Sequence, residues 1–145
     1  EHVSEKFSKN RIRAMSLLQE ESGLQEIVRL VGRDALSEAD QLKLEVTKSI
    51  REDFLQQNAF HEIDTYCSLE KQMRMLDLIL YFYDKAKAAL DSKIYLNEVL
   101  ALSVRERIAR SKNIPEDQLQ EFNLIFAALD EEVKDLMKKG GVDHA

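Results

Sequence analysis

Apolar residues recur at three- and four-residue steps along most of the chain, the spacing that turns one face of an α-helix toward a core. Over residues 8–31 these positions are Ile12, Met15 and Leu18, then Leu24, Ile27, Val28 and Val31. Ser22 and Gly23 are the weak point of this helix. Glycine in a helix interior costs about 1 kcal/mol relative to alanine, so a bend or local fraying is expected there. Gly32 stands where a left-handed C-cap would end the helix. Ser37, with Asp40 three residues on, has the Ser-x-x-acid form of a helix start. The stripe Leu42, Val46, Ile50 and Phe54 then steps by four, which predicts a second helix from near Glu38 to about Gln57.

Residues 58–68, NAFHEIDTYCS, break the periodicity and read as an ordered connector. Between 69 and 91 the apolar set is broad: Met73, Leu76, Ile79, Leu80, Phe82, Tyr83, Ala86 and Leu90. This exceeds one stripe and predicts a central helix contacted on two sides. A short helix over 96–102 is expected next. Ser103 and Glu106 form the two ends of a capping-box pattern that opens another, reaching about Ser111. Pro115, followed by Glu116 and Asp117, opens the last helix, and Lys138-Lys139-Gly140-Gly141 closes it. That helix carries the seam Leu119, Phe122, Phe126, Leu129, Val133 and Leu136. Such a seam either docks antiparallel on its own bundle or receives a partner helix, as in a free-standing helical interaction module. The fold class is all-α: a single domain of about five to six helices built on antiparallel helix-turn-helix hairpins.

Composition supports this class and narrows the function. The 145 residues, with four glycines and one proline, suit one helical core. A net charge of −6, with basic residues scattered, argues against a nucleic-acid partner and against anionic membrane surfaces. No apolar run approaches the roughly 18 to 20 residues that span a bilayer, and the N-terminus lacks an apolar signal core, so a soluble, cytoplasmic protein without direct membrane insertion is expected. The chain starts at Glu1 and enters a helical pattern almost at once, as a domain cut from a longer protein would.

Candidate chemistry is sparse. His61, Glu62 and Asp64 could offer metal ligands, but a site needs three or four converging donors and His2 and His144 lie at the termini. Cys67 has no adjacent base and reads as a structural thiol. Neither GxxxxGK[ST] nor GxGxxG occurs, so the chain holds no nucleotide triphosphate unaided. Asp34, Glu38 and Asp40 form an acidic turn that composition alone would leave as a solvated helix cap.

The strings LLQEESGLQEIVRLVGRDALSEADQLKLE and REDFLQQNAFHEIDTYCSLEKQ resemble the C-terminal helical domain of the catalytic A subunit of V-type and A-type rotary ATPases and ATP synthases. The resemblance is strong from about Lys9 to Leu80 and weaker beyond. It implies an upstream portion that binds ATP or ADP with magnesium, while this fragment is non-catalytic alone and has no cofactor of its own. It also implies partners: B subunits alternating with A subunits in a ring, and the subunits of a central stalk. The assembly would be cytoplasmic and peripheral to the membrane, coupling ATP hydrolysis or synthesis to rotation and to proton or sodium transport. Asp34, Ala35, Leu36, Ser37, Glu38, Ala39 and Asp40 resemble the DELSEED tip of the related F-type beta subunit, with Ala35 and Ala39 replacing two acids. The resemblance makes these seven residues the expected rotor contact. The departure points to Leu36 and steric bulk more than to charge, with Arg33 offsetting part of the local negative charge. Phe60 resembles the aromatic placed at the adenine edge of the nucleotide pocket, with a connector aromatic as the alternative; Gln56 and Gln57 are secondary candidates.

Overall fold

The structure is a computed structural model that describes the backbone of residues 2–55 and 68–143, and the side chains of residues 5–55 and 68–140. Among the described residues there are six α-helices and no strand: α1 (His2–Val31), α2 (Glu38–Ser49), α3 (Leu69–Asp91), α4 (Leu96–Leu100), α5 (Val104–Arg110) and α6 (Glu121–Asp143). Short 3₁₀ turns at Arg33–Ala35, Ser111–Asn113 and Glu116–Gln118 join them, and a π turn, Ile50–Leu55, extends α2.

α1 is continuous through Ser22 and Gly23, so the helix does not fray there. Its neighbours offset the glycine by packing: α1 lies against α2 and α3. The face it buries also differs from the expected stripe. Asn10, Ala14 and Leu17 are buried, with Leu18, Leu24 and Val28 half-buried, whereas Ile12, Met15, Ile27 and Val31 are exposed. Two overlapping apolar stripes run along α1, and the one on the side of the small Ala14 takes the core.

α2 begins at Ser37, whose Oγ accepts a hydrogen bond from the Asp40 N–H at 3.1 Å, as the Ser-x-x-acid pattern predicts. Leu42, Val46, Ile50 and Phe54 are all buried. The α-helix ends at Ser49, short of Gln57, because the chain widens into the π turn that brings Asp53 and Phe54 inside together. α1 and α2 form the expected antiparallel hairpin. Cross-links brace it: Lys43 pairs with Glu20 at 3.1 Å, and the Glu21 carboxylate accepts from Arg51 at 2.7 Å and from the Thr47 hydroxyl at 3.0 Å.

α3 is the central helix with the expected bounds, capped by Ser68 Oγ, which accepts from the Lys71 N–H at 3.0 Å. It runs parallel to α1, because Lys6 pairs with Asp77 and Arg13 with Asp84 in one register. On its other side it meets α6 in another parallel register: Arg74 donates to the Leu119 carbonyl, the Tyr81 ring lies 5.2 Å from that of Phe126, and Lys85 pairs with Asp130. The last helix thus docks on its own bundle, but parallel to α3 and not antiparallel. The two short helices between α3 and α6 carry the chain back, which the seam could not reveal. Leu119, Phe122, Leu129 and Val133 are buried there and Phe126 and Leu136 half-buried. α6 opens after a 3₁₀ turn that follows Pro115, and it extends to Asp143, past the expected stop at Gly140.

Candidate functional site

The turn between α1 and α2 holds the residues expected at the tip. Gly32 sits at φ 93° and ψ 159°, a conformation that side-chain-bearing residues rarely adopt, which is why a glycine stops α1 here. Its N–H still closes a helical bond to the Val28 carbonyl at 2.9 Å, and its carbonyl starts the 3₁₀ turn by accepting from Ala35 N–H. Asp34, Ala35, Ser37, Glu38 and Ala39 are exposed, Asp40 is half-buried, and Leu36 is buried as the plug beneath them. Leu36 therefore contributes to the tip by packing under it and not as an outward contact. Its carbonyl accepts from Gln41 Nε2 at 3.0 Å.

The charges around the turn are mostly engaged within the molecule. Glu38 reaches across to α4, where its carboxylate accepts the Leu96 N–H at 2.9 Å, satisfying a backbone donor that the first turn of a helix leaves open. Asp40 lies 3.8 Å from Lys43, whose pKa is raised mainly by its hydrogen bond to Glu20. Arg33 does not simply offset the turn acids: it pairs with Glu45 at 2.9 Å, and Glu45 also receives Arg105 of α5 at 3.3 Å. Among the described residues, Asp34 is the tip acid left without a partner. Three apolar residues at the end of α1 are also exposed, Ile27, Leu30 and Val31 at 41%, 71% and 69%, in the same turns as the exposed Glu26–Arg29 pair. The periodicity does not single out Leu30, and it places Ile27 and Val31 on the stripe expected to face the core. The signal that could have found them is the second apolar stripe of α1.

Where the hairpin meets the rest of the domain, Asp53 is buried with Lys112 Nζ at 3.4 Å. Burial raises the Asp53 pKa from its ordinary value, and the Lys112 charge offsets part of that rise. The neighbouring Lys71 is buried too and donates to the Lys112 carbonyl at 2.8 Å. Asp53 and Lys71 stand on either side of residues 56–67 in the sequence. Phe60, Gln56, Gln57, His61, Glu62, Asp64 and Cys67 all fall within that range and lie outside the described residues.

The residues present do not by themselves fit a nucleotide triphosphate and its magnesium ion. The sequence has no glycine-rich phosphate loop, and among the described residues no three His, Cys, Asp or Glu side chains converge. No helix among them is long and apolar enough to cross a membrane.

The family model for the C-terminal domain of V and A type ATP synthase matches residues 1–100, which include the hairpin, the tip and the central helix. The chain belongs to this family. Among similar proteins are the V-type ATP synthase alpha chain of Clostridium botulinum (strain Langeland), 58% identical over all 145 residues, and that of Clostridium perfringens (strain SM101), 58% identical over 144. The chain covers 25% and 24% of those two proteins, so this ATP synthase domain spans about a quarter of the length of the curated relatives it matches.

Proposed function

We propose that this domain is the transmission element of a rotary ATP synthase A subunit: it links closure of an upstream nucleotide-binding portion to the central stalk, and through rotation to proton or sodium transport. The observation that carries this reading is the braced hairpin. α1 and α2 are joined by Glu20–Lys43, Glu21–Arg51 and Glu21–Thr47, and the turn is plugged by Leu36, so a displacement at one end reaches the other without the element yielding. Residues 34–40 are the rotor contact in this proposal, with the stalk and the adjoining B subunits as partners. The assembly works in the cytoplasm, peripheral to the membrane. ATP, ADP and magnesium are held by the upstream portion, and the free-standing adaptor reading loses support because the α6 seam is filled by α3 and α5.

Phe60 contributes to the adenine edge in this reading, since an aromatic face stacks on a base for about 1 to 3 kcal/mol without requiring hydrogen bonds. Phe60→Ala in the complete subunit is expected to weaken nucleotide affinity by about 5- to 150-fold on that basis. Titration with ATP and ADP measures it, and an unchanged affinity removes Phe60 from the pocket.

A further inference from the structure

We infer that the tip engages the stalk through an apolar knuckle, Ile27, Leu30, Val31 and Ala35, and that its acids serve the fold of the domain more than the contact. This rests on the rotor-contact reading above and names the chemistry of that contact. Ile27, Leu30 and Val31 follow at three- and four-residue steps, so they share one face of the last turns of α1. All three are exposed, and Ala35, four residues beyond Val31 in the turn, is exposed as well. The surrounding charges are consumed locally. Arg29 pairs with Glu26, Arg33 with Glu45, Lys43 with Glu20 and Asp40, and Glu38 holds the start of α4. Among the described residues, Asp34 is the tip acid left over, and one solvated carboxylate offers little to a basic partner. An uncharged apolar face is matched by an apolar partner surface, since a charge buried against it would lose its hydration without gaining a counter-ion.

The position of the knuckle argues for a separate polypeptide as its occupant. In a C-terminal domain the rest of the subunit joins ahead of α1, and α1, at 30 residues, is about 45 Å long. The knuckle stands a full helix length from that junction. The stripe at Ile12 and Met15, nearer the junction, is within easier reach of the upstream portion; the knuckle is left for the stalk.

The test uses the complete subunit in its assembled ring, with the purified stalk. A photo-crosslinking amino acid in place of Ala35 reports the contact itself. Stalk affinity is then measured at low and high salt for Leu30→Asp with Val31→Asp, for the uncharged pair Leu30→Ser with Val31→Thr, and for Asp34→Asn. The expected result is crosslinking to the stalk, affinity lowered about tenfold or more by the acidic pair and less by the uncharged pair, Asp34→Asn within about twofold of the parent, and weak salt dependence. If crosslinks form but Asp34→Asn weakens binding while both apolar pairs bind as the parent does, or if binding falls steeply with salt, the apolar assignment is overturned and the rotor-contact reading stands. If no crosslink to the stalk forms, the rotor-contact reading fails and the knuckle fails with it.

Discussion

Gly23 and Gly32 respond oppositely to a side chain, and backbone conformation decides which way each goes. Gly23 lies inside continuous α1, and a Cβ there would meet nothing within 4 Å. Gly23→Ala is expected to stabilise the domain by about 0.5 to 1 kcal/mol, because alanine loses less backbone freedom on entering a helix. Gly32 has equal space but sits at φ 93°, so Gly32→Ala is expected to cost about 1 kcal/mol or more despite the absence of any clash. Urea unfolding of both variants measures the two signs. Asp53 gives a pH-dependent case. Burial raises its folded pKa, so the folded state holds the proton more tightly, and the charged carboxylate costs stability above that pKa. Asp53→Asn removes this cost at the expense of the Lys112 pair. Its melting temperature is expected to match or exceed that of the parent near pH 7.5, with the difference shrinking as the pH falls toward about 4 and the parent becomes protonated. A variant whose advantage grows on acidification would contradict the assignment. At this scale the sequence was legible where the partner is near: Ser37 and Ser68 cap the helices that follow them. It was not legible for Glu38, whose partner Leu96 is 58 residues away.

Short elements depend on such distant partners. α5 was expected to start with a capping box made by Ser103 and Glu106, yet Ser103 makes no cap and Glu106 turns to Arg110. The Glu132 carboxylate of α6 replaces the box, accepting from Ser103 Oγ at 2.8 Å and from Val104 N–H at 3.0 Å. The motif correctly located the helix start but not the group that satisfies it, because a carboxylate from a packed neighbour reaches the same open donors. Glu132→Ala is therefore expected to destabilise the domain by about 1 kcal/mol, the usual range for a lost cap, whereas Glu106→Ala, which breaks an exposed i,i+4 pair, is expected to change stability by less than about 0.5 kcal/mol. Thermal unfolding of the two variants separates the roles. A larger loss from Glu106→Ala would restore the local capping box. The same reasoning explains α1: a helix flanked by two apolar stripes has no local signal for which one enters the core, and the choice comes from α2 and α3 packing on the side of Ala14 and Leu17.

Across the whole molecule, α3 is the axis on which α1, α2 and α6 converge, and one connected apolar core runs from Ala14 and Leu17 through Leu76 and Leu80 to Phe122 and Leu129. The helical class and the order of the elements were readable from periodicity because apolar residues recur at three- and four-residue steps along each long helix. The parallel docking of α6 was not, since a seam fixes which residues face inward and not which way the neighbouring helix points. A single continuous core has a thermodynamic consequence: the hairpin and the α5–α6 region share the same buried contacts, so loosening one removes support from the other. The domain is expected to unfold in one cooperative step in urea, with far-UV circular dichroism and tyrosine fluorescence giving coincident transitions. Leu129 and Leu124 test this from the same helix. Leu129 is fully buried and Leu124 is 61% exposed. Leu129→Ala is expected to lower stability by about 2 to 5 kcal/mol through lost burial and a residual cavity. Leu124→Ala is expected to stay within about 0.5 kcal/mol. If the core is continuous, Leu129→Ala shifts the transition of both probes equally and leaves the denaturant slope unchanged. Separation of the two probes in that variant would instead show the hairpin unfolding apart from α6.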